Sequence, residues 1–126
     1  RIQALRAEVV RRYREGLGDW AAARGVRLAP ELPERGPNHH IFYLLYPEAR
    51  LRDAALRSLR AQGILATFHY VPLHSAPHAR KLGLDAAMPV TDRVAATLLR
   101  LPLHPRLGED EVARVVAAVR ETGSRA

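Results

Sequence analysis

One run of aromatic and branched residues, NHHIFYLLY from Asn38 to Tyr46, constrains the fold most, and Pro47 marks its end. Its Ile, Phe, Tyr and Leu content is typical of a strand covered on at least one face. Helical spacing follows over residues 49 to 62, and Gly63 stands where a left-handed C-terminal cap is expected. A second strand is predicted from Ile64 to about Tyr70. The unit is strand, helix, strand, which buries all three when the helix lies across the sheet.

Helical periodicity predicts a helix at each end of the chain. Residues 1 to about 23 carry one apolar stripe, formed by Ile2, Leu5, Val9, Tyr13, Leu17 and Trp20. The periodicity stops from Gly25 to Pro37, where several prolines predict an extended connector. The last helix opens with Glu109, Asp110 and Glu111, whose charges favour a helix N-terminus. Its predicted buried stripe is Val112, Val115, Val116 and Val119.

Shorter elements are predicted between these parts. SAPHARKLG predicts a short helix with Ser75 as N-cap, Pro77 in its first turn and Gly83 as terminator. Thr91 is predicted to cap a helix through about Leu98, and LRLPLHP to form an edge strand and a turn. The expected fold class is α+β, with a small antiparallel or mixed sheet of about three strands and helices on one face.

Length and composition favour one domain, because 126 residues with 48% hydrophobic content bury a single core of modest size. No apolar run approaches the roughly 20 residues of a membrane span, and no signal peptide is recognised, so a cytoplasmic location is expected. Zero cysteines exclude disulfides and cysteine-ligated zinc. The chain begins at Arg1 and enters an amphipathic pattern at once, so we expect a piece of a longer protein.

The net charge of +7 raises the alternative of a nucleic-acid-binding domain. All but one of the 20 basic Lys and Arg residues are arginine, and they are interleaved with Asp and Glu on every predicted helix. This distribution is typical of solvated helix faces rather than of a basic patch. No nucleic acid and no membrane is therefore expected as a partner.

The stretch ATFHYVPLHSAP holds the side chains most able to bind a ligand or take part in catalysis. His74 and His78 are four residues apart, a spacing compatible with two metal ligands, but Pro77 lies between them and no carboxylate motif accompanies them. Ser75 lacks the surroundings of a nucleophile, and no glycine-rich phosphate loop is present. Lys81, the only lysine, lies in a polar turn where nothing would desolvate it for imine chemistry.

The strand ends predict a polar rim on an otherwise apolar domain. Asn38 and His40 lie at the start of one predicted strand, His69 and Tyr70 at the end of another, and Arg100 beside the third extended piece. If the sheet brings these ends together, hydrogen-bonding groups line one edge. The alternative is that each side chain satisfies a nearby loop carbonyl.

Three blocks of the sequence carry a resemblance. They are Asn-x-His-x-Phe-Tyr beginning at Asn38, Phe-His-Tyr-x-Pro-Leu-His from Phe68 to His74, and Leu-Leu-Arg-Leu-Pro-Leu from Leu98 to Leu103. In order and separation they resemble the C-terminal small domain of the DegT/DnrJ/EryC1/StrS family of sugar aminotransferases, which use pyridoxal 5′-phosphate and share the aspartate-aminotransferase-like (type I) fold. Residues 1–24 look like the family's connector helix from its large domain, and residues 25–126 like its small domain.

The resemblance implies a homodimer whose active site lies between the large and small domains. The implied reaction moves the amino group of glutamate to C4 of dTDP-4-keto-6-deoxyglucose, with pyridoxal phosphate bound mainly by a large domain that this chain lacks. The chain alone is then expected to be inactive, with no catalytic residue of its own.

The resemblance also implies roles for the rim residues. His69 and Tyr70 would hydrogen-bond sugar hydroxyls or phosphate, with Asn38 and His40 as support from the neighbouring strand. Arg100 would meet a phosphate or carboxylate. His74 completes the predicted substrate-binding set, and it would either help to bind the substrate or only brace the turn. A stand-alone ligand-binding or regulatory module remains the alternative to the enzyme.

Overall fold

The computed structural model describes residues 1–31, 34, 36 and 38–122. These residues form five α-helices and one three-stranded antiparallel sheet with strand order β1, β2, β3. In chain order the elements are α1 (Ile2–Ala23), β1 (Arg27–Leu28), β2 (Phe42–Leu45), α2 (Ala49–Ala61), α3 (Pro77–Lys81), α4 (Pro89–Thr97), β3 (Leu98–Leu101) and α5 (Glu109–Glu121). The predicted α+β class is confirmed.

The three longest helices agree with the hydrophobic periodicity. Helix α1 buries four residues of its predicted stripe, although Ile2 and Leu5 at its first turns are exposed. Helix α5 opens with its three acidic residues and buries three of its four predicted valines, with Val116 partly buried. Gly63 follows α2 with a φ of +72°, the left-handed conformation predicted for this position. No described helix has an apolar stretch that would cross a lipid bilayer.

One face of the sheet carries the core. Phe42 pairs with Leu101 and Leu44 with Leu99 across β2 and β3, and all four side chains are buried. The ring of Tyr13 on α1 lies 5.1 Å from that of Phe42, and its hydroxyl donates a 2.8 Å hydrogen bond to the Pro102 carbonyl. Helix α1 therefore packs on this face, and the buried residues of α5 belong to the same hydrophobic core.

Helices α1 and α5 pack at very close range. A β-carbon added to Gly16 would lie 2.7 Å from Cγ1 of Val116, which is closer than carbon atoms tolerate. Arg120 of α5 also donates a 2.8 Å hydrogen bond to the Gly16 carbonyl. A residue without a β-carbon is thus required at the helix crossing.

The strand predicted from Ile64 to Tyr70 is wrong. Only Thr67 pairs there, as an isolated antiparallel bridge with Arg100 of β3. The Ala66 amide bonds to the Ile64 carbonyl at 2.8 Å, a tight local turn that takes it out of any ladder. Beyond the bridge, Tyr70 has a φ of +61°, which no strand accommodates. The third strand is instead β1, inside the region predicted as a connector.

Two predicted helix caps are also wrong. Ser75 lies in a 3₁₀ turn, Leu73–Ser75, and its hydroxyl donates to the Pro72 carbonyl at 3.0 Å. Helices α3 and α4 both begin at a proline, whose fixed φ suits the first helical position, so Thr91 lies inside α4. Pro77 does open α3, and Gly83 follows it with a φ of +66°.

The predicted strand at 38–46 is shorter than expected, because pairing is limited to Phe42–Leu45. Asn38 and His40 therefore precede the strand rather than begin it. The connector predicted over residues 25 to 37 includes Leu32, Pro33, Arg35 and Pro37, which lie outside the described residues.

Candidate functional site

Three residues of the predicted rim, His69, Tyr70 and Arg100, meet at the free edge of β3. The Thr67 amide donates to the Arg100 carbonyl at 3.1 Å, and the Arg100 amide donates back to the Thr67 carbonyl at 2.7 Å. This bridge fixes the backbone two residues before His69. On the other side, Arg100 pairs with Tyr43 of β2, on the face opposite Phe42 and Leu44.

Arg100 contacts His69 directly. One guanidinium nitrogen lies 3.3 Å from His69 Nδ1, and a guanidinium only donates hydrogen bonds. His69 Nδ1 therefore accepts, so the imidazole is neutral and carries its hydrogen on Nε2. Partial burial lowers the pKa of His69, and the positive charges of Arg100 and His40 lower it further. His69 is thus held as a neutral group with one N–H to offer a ligand.

Tyr70 is held in a strained backbone conformation beside this imidazole. Its φ of +61° is in the left-handed region, which costs a non-glycine residue of the order of 1–2 kcal/mol. Its ring centroid lies 4.7 Å from that of His69, yet the residue is 71% exposed. Tyr70 is therefore an exposed aromatic residue in a costly backbone conformation, and this combination marks the rim as a candidate site.

A cavity of about 320 Å³ opens beside the two rings. His69, Tyr70 and Pro72 form one wall, and Val90, Thr91 and Val94 of α4 form the opposite wall. Ala95 and Leu98 complete the lining. The cavity is large enough for a small cyclic ligand, and its lining is mainly apolar beside His69, Tyr70 and Thr91.

The side chain of His74 contacts α4. Its Nε2 lies 2.7 Å from Asp92 Oδ1 in the first turn of α4, and its side chain is only 10% exposed. Because a carboxylate only accepts, His74 donates this hydrogen bond. The sequence analysis did not identify Asp92 as a partner, since its position alone indicated only a favourable charge at a helix N-terminus.

Asn38 and His40 form a pair of their own. The Asn38 side-chain oxygen accepts from the His40 backbone amide at 3.3 Å and also contacts His40 Nδ1. Both residues line a separate cavity of about 260 Å³ together with Arg14, Glu31 and Tyr43. The structure therefore joins His69, Tyr70 and Arg100 by contact, and links His40 to them through charge alone.

The described residues do not form a complete catalytic centre. No three of their His, Asp or Glu side chains come together as a metal site. Lys81, the only lysine of the chain, is exposed at the end of α3 and is not desolvated as an imine-forming lysine would be. The described residues therefore do not fit the requirements of a pyridoxal phosphate pocket, which needs such a lysine. They form a wall that can bind and orient a ligand.

The comparisons with known proteins all match aminotransferases. The model of the DegT/DnrJ/EryC1/StrS aminotransferase family matches residues 1–120. The chain is 33% identical over 110 residues to a dTDP-4-dehydro-2,3,6-trideoxy-D-glucose 4-aminotransferase of Saccharopolyspora spinosa, covering 87% of this chain and 27% of that protein. It is 34% identical over 121 residues to a dTDP-3-amino-3,4,6-trideoxy-alpha-D-glucose transaminase of Micromonospora megalomicea subsp. nigra, covering 94% of this chain and 32% of that protein.

A solved structure has the same fold. The aminotransferase TlmJ from Streptoalloteichus hindustanus superposes with a TM-score of 0.86 at 31% identity, over 98% of this chain and 32% of that one. The chain thus spans 27% to 32% of the length of these three proteins.

Proposed function

The chain belongs to the DegT/DnrJ/EryC1/StrS aminotransferase family, and from that premise we propose that it is the C-terminal third of a transaminase acting on a keto-sugar nucleotide. In this proposal α1 is the connector from a large domain, and residues 25–126 are the small domain. The observation that carries the proposal is the family match over residues 1–120 together with an exposed polar rim at one sheet edge.

The substrate that we propose is dTDP-4-keto-6-deoxyglucose, with glutamate as amino donor. The product would be dTDP-4-amino-4,6-dideoxygalactose, with 2-oxoglutarate released. The three sequence blocks beginning at Asn38, Phe68 and Leu98 support this choice by their resemblance to that transaminase. One relative is named for a C4 amination and another for a C3 amino sugar, so the position of the amino group is what the assay must decide.

Pyridoxal phosphate would supply the electron sink of the reaction. We place its pocket in the large domain, because the described residues here do not form one. This chain would instead contribute the wall that closes over the sugar nucleotide, excluding water and fixing its orientation. We further propose that the complete enzyme is a homodimer with its active site between the two domains.

The rim geometry gives each residue a chemical role in this proposal. His69, neutral and with its hydrogen on Nε2, would donate to a sugar hydroxyl or a phosphate oxygen. The Tyr70 phenol, exposed beside it, would form a second hydrogen bond. Arg100 would hold His69 in place and add positive charge for the diphosphate or the glutamate carboxylate. Asn38 and His40 would support this wall from the residues before β2.

An exposed apolar surface is where the large domain would pack. No residue from 67 to 96 is buried, and several large apolar side chains of this segment face solvent. They include Phe68, Val71, Leu73, Leu82, Leu84, Met88 and Val90. A surface of this kind favours a protein partner, and the remaining two-thirds of a family member would provide one.

The test is an assay of the full-length protein with glutamate, pyridoxal phosphate and a panel of dTDP- and UDP-linked 3-keto and 4-keto sugars. Product identity is followed by mass spectrometry, and 2-oxoglutarate is measured in parallel. We expect His69→Ala to lower kcat/KM for the sugar nucleotide by about tenfold or more, the size of a lost hydrogen bond to a charged or strongly polar group. His104→Ala, an exposed histidine outside the rim, is the matched control. Absence of amino transfer with every sugar would refute the proposal.

A further inference from the structure

The segment from Tyr70 to Ala87 is attached to the rest of the described molecule by very few links. Its backbone hydrogen bonds are internal, as in Ser75 to Pro72 and Leu84 to Ala79. Among the described residues, the side-chain hydrogen bond that links this segment to another part of the fold runs from His74 to Asp92. With no buried residue of its own, the segment gains little from packing within this chain, so this polar link weighs heavily on where its backbone lies relative to α4.

The link also joins the two segments that line the 320 Å³ cavity. His74 lies two residues after Pro72, which belongs to one wall, and Asp92 lies next to Thr91, which belongs to the other. Neither His74 nor Asp92 lines the cavity itself. The 2.7 Å contact therefore sets the separation of the two walls without contacting what the cavity holds.

We infer that His74 and Asp92 are a positioning pair, which holds Tyr70 and Pro72 at a fixed distance from α4 and so shapes the binding site for the sugar nucleotide. The inference rests on the proposed function for the identity of the ligand. It assigns His74 a role through Tyr70 and Pro72 rather than as a ligand of the substrate. Asp92, which no sequence motif singles out, becomes equally important.

The kinetic test compares His74→Ala, Asp92→Ala and the double variant in the full-length enzyme. We expect each single variant to raise KM for the sugar nucleotide by about five- to tenfold, because a charge-assisted hydrogen bond is lost. We expect kcat and the KM for glutamate to change by less than about twofold, since the reacting groups are untouched. The double variant should match the singles, because both remove the same interaction.

A conservative variant and matched controls complete the design. Asp92→Asn keeps an oxygen that accepts from His74, so it should stay within about threefold of the wild-type KM. His78→Ala and Asp85→Ala remove exposed groups from the same segment and should leave the KM unchanged. A wild-type KM in Asp92→Ala, or a double variant whose effect is the product of the single effects, would overturn the inference. His74 would then either bind the ligand directly or have no role in binding.

Hydrogen exchange provides a readout that does not depend on activity. Amides of residues 70–87 should exchange faster in His74→Ala and Asp92→Ala than in wild type, with little change in α1 and α5. Unchanged exchange in this segment would overturn the inference even if the enzyme were active. Conversely, a wild-type protein inactive on every sugar nucleotide would refute the proposed function, and the exchange data would still decide whether the pair holds the segment.

Discussion

Two regions of this molecule are built in opposite ways. Between α1, the inner sheet face and α5, side chains such as Leu17, Phe42, Leu99 and Val119 are almost completely removed from solvent. From residue 67 to 96, no residue is buried, and the hydrogen bonds to the rest of the fold include the Thr67 bridge, the Arg100–His69 contact and the bond from Arg52 to the Ala95 carbonyl. The first region is stable through its own burial, whereas the second holds its shape through a few polar links. The candidate site lies in the second region, which is the more exposed of the two.

The largest expected effect is in the packed region. Phe42→Ala removes a ring that is 1% exposed and in contact with Tyr13, so the free energy of unfolding should fall by about 3–5 kcal/mol. Leu73→Ala, at a residue 87% exposed in this chain, should change it by less than about 0.5 kcal/mol when the 126-residue chain is measured without a large domain. Urea unfolding followed by circular dichroism measures both. Similar losses in the two variants would remove the distinction between the regions.

Two glycines of α1 test how tightly the packed region is built. Gly16→Ala should lower the free energy of unfolding by about 1–3 kcal/mol, because the new methyl group would clash with Val116. Gly18→Ala, which meets no atom within 4 Å, should raise it by about 0.5–1 kcal/mol through helix propensity. Adding Val116→Ala should restore much of the loss in Gly16→Ala. The same sign of change at both glycines would contradict the close crossing of α1 and α5.

In the exposed region from residue 67 to 96, one substitution at the rim should stabilise the protein. Tyr70→Gly relieves the left-handed strain and should raise the free energy of unfolding by about 1 kcal/mol. Val71→Gly, one residue on, should instead lower it by about 0.5–1 kcal/mol, because its backbone is not left-handed and glycine gains freedom in the unfolded chain. Thermal unfolding of both variants compares them. A loss of stability in Tyr70→Gly would mean that its ring contributes more than its backbone costs.

The smallest effect concerns the charge state of His69. Its pKa lies below the ordinary value of 6.5, so folding favours the neutral ring, and that contribution is complete above 6.5 and lost as pH falls through the lowered value. Arg100→Met removes a positive charge and the donor to Nδ1, so the pKa of His69 should rise and the pH dependence below 6.5 should weaken. A titration by NMR measures the pKa, with exposed Arg106→Met as control. An unchanged pKa in Arg100→Met would show that Arg100 does not contribute to the lowered pKa of His69.

The elements that sequence analysis predicted best are those whose signal is local. Helices α1, α2 and α5 follow from apolar residues at helical spacing, and Gly63 and Gly83 from the need for a left-handed residue after a helix. The strand at 64–70 was predicted from composition alone and is wrong, since a strand also needs an aligned neighbour along its length. The caps at Ser75 and Thr91 were wrong because proline at the first helical position set the start of α3 and α4.

The sequence by itself determined the α+β class, the family blocks and the residues with hydrogen-bonding potential, because each is encoded within a few neighbouring positions. Tertiary structure alone decided how those residues pair. His69 meets Arg100 across 31 positions, and His74 meets Asp92 across 18, so both contacts depend on how the edge of β3 and the start of α4 are placed. A side chain's chemistry is local, but its partner is chosen by the packing of elements far apart in the chain, and that choice separates a binding residue from a positioning one.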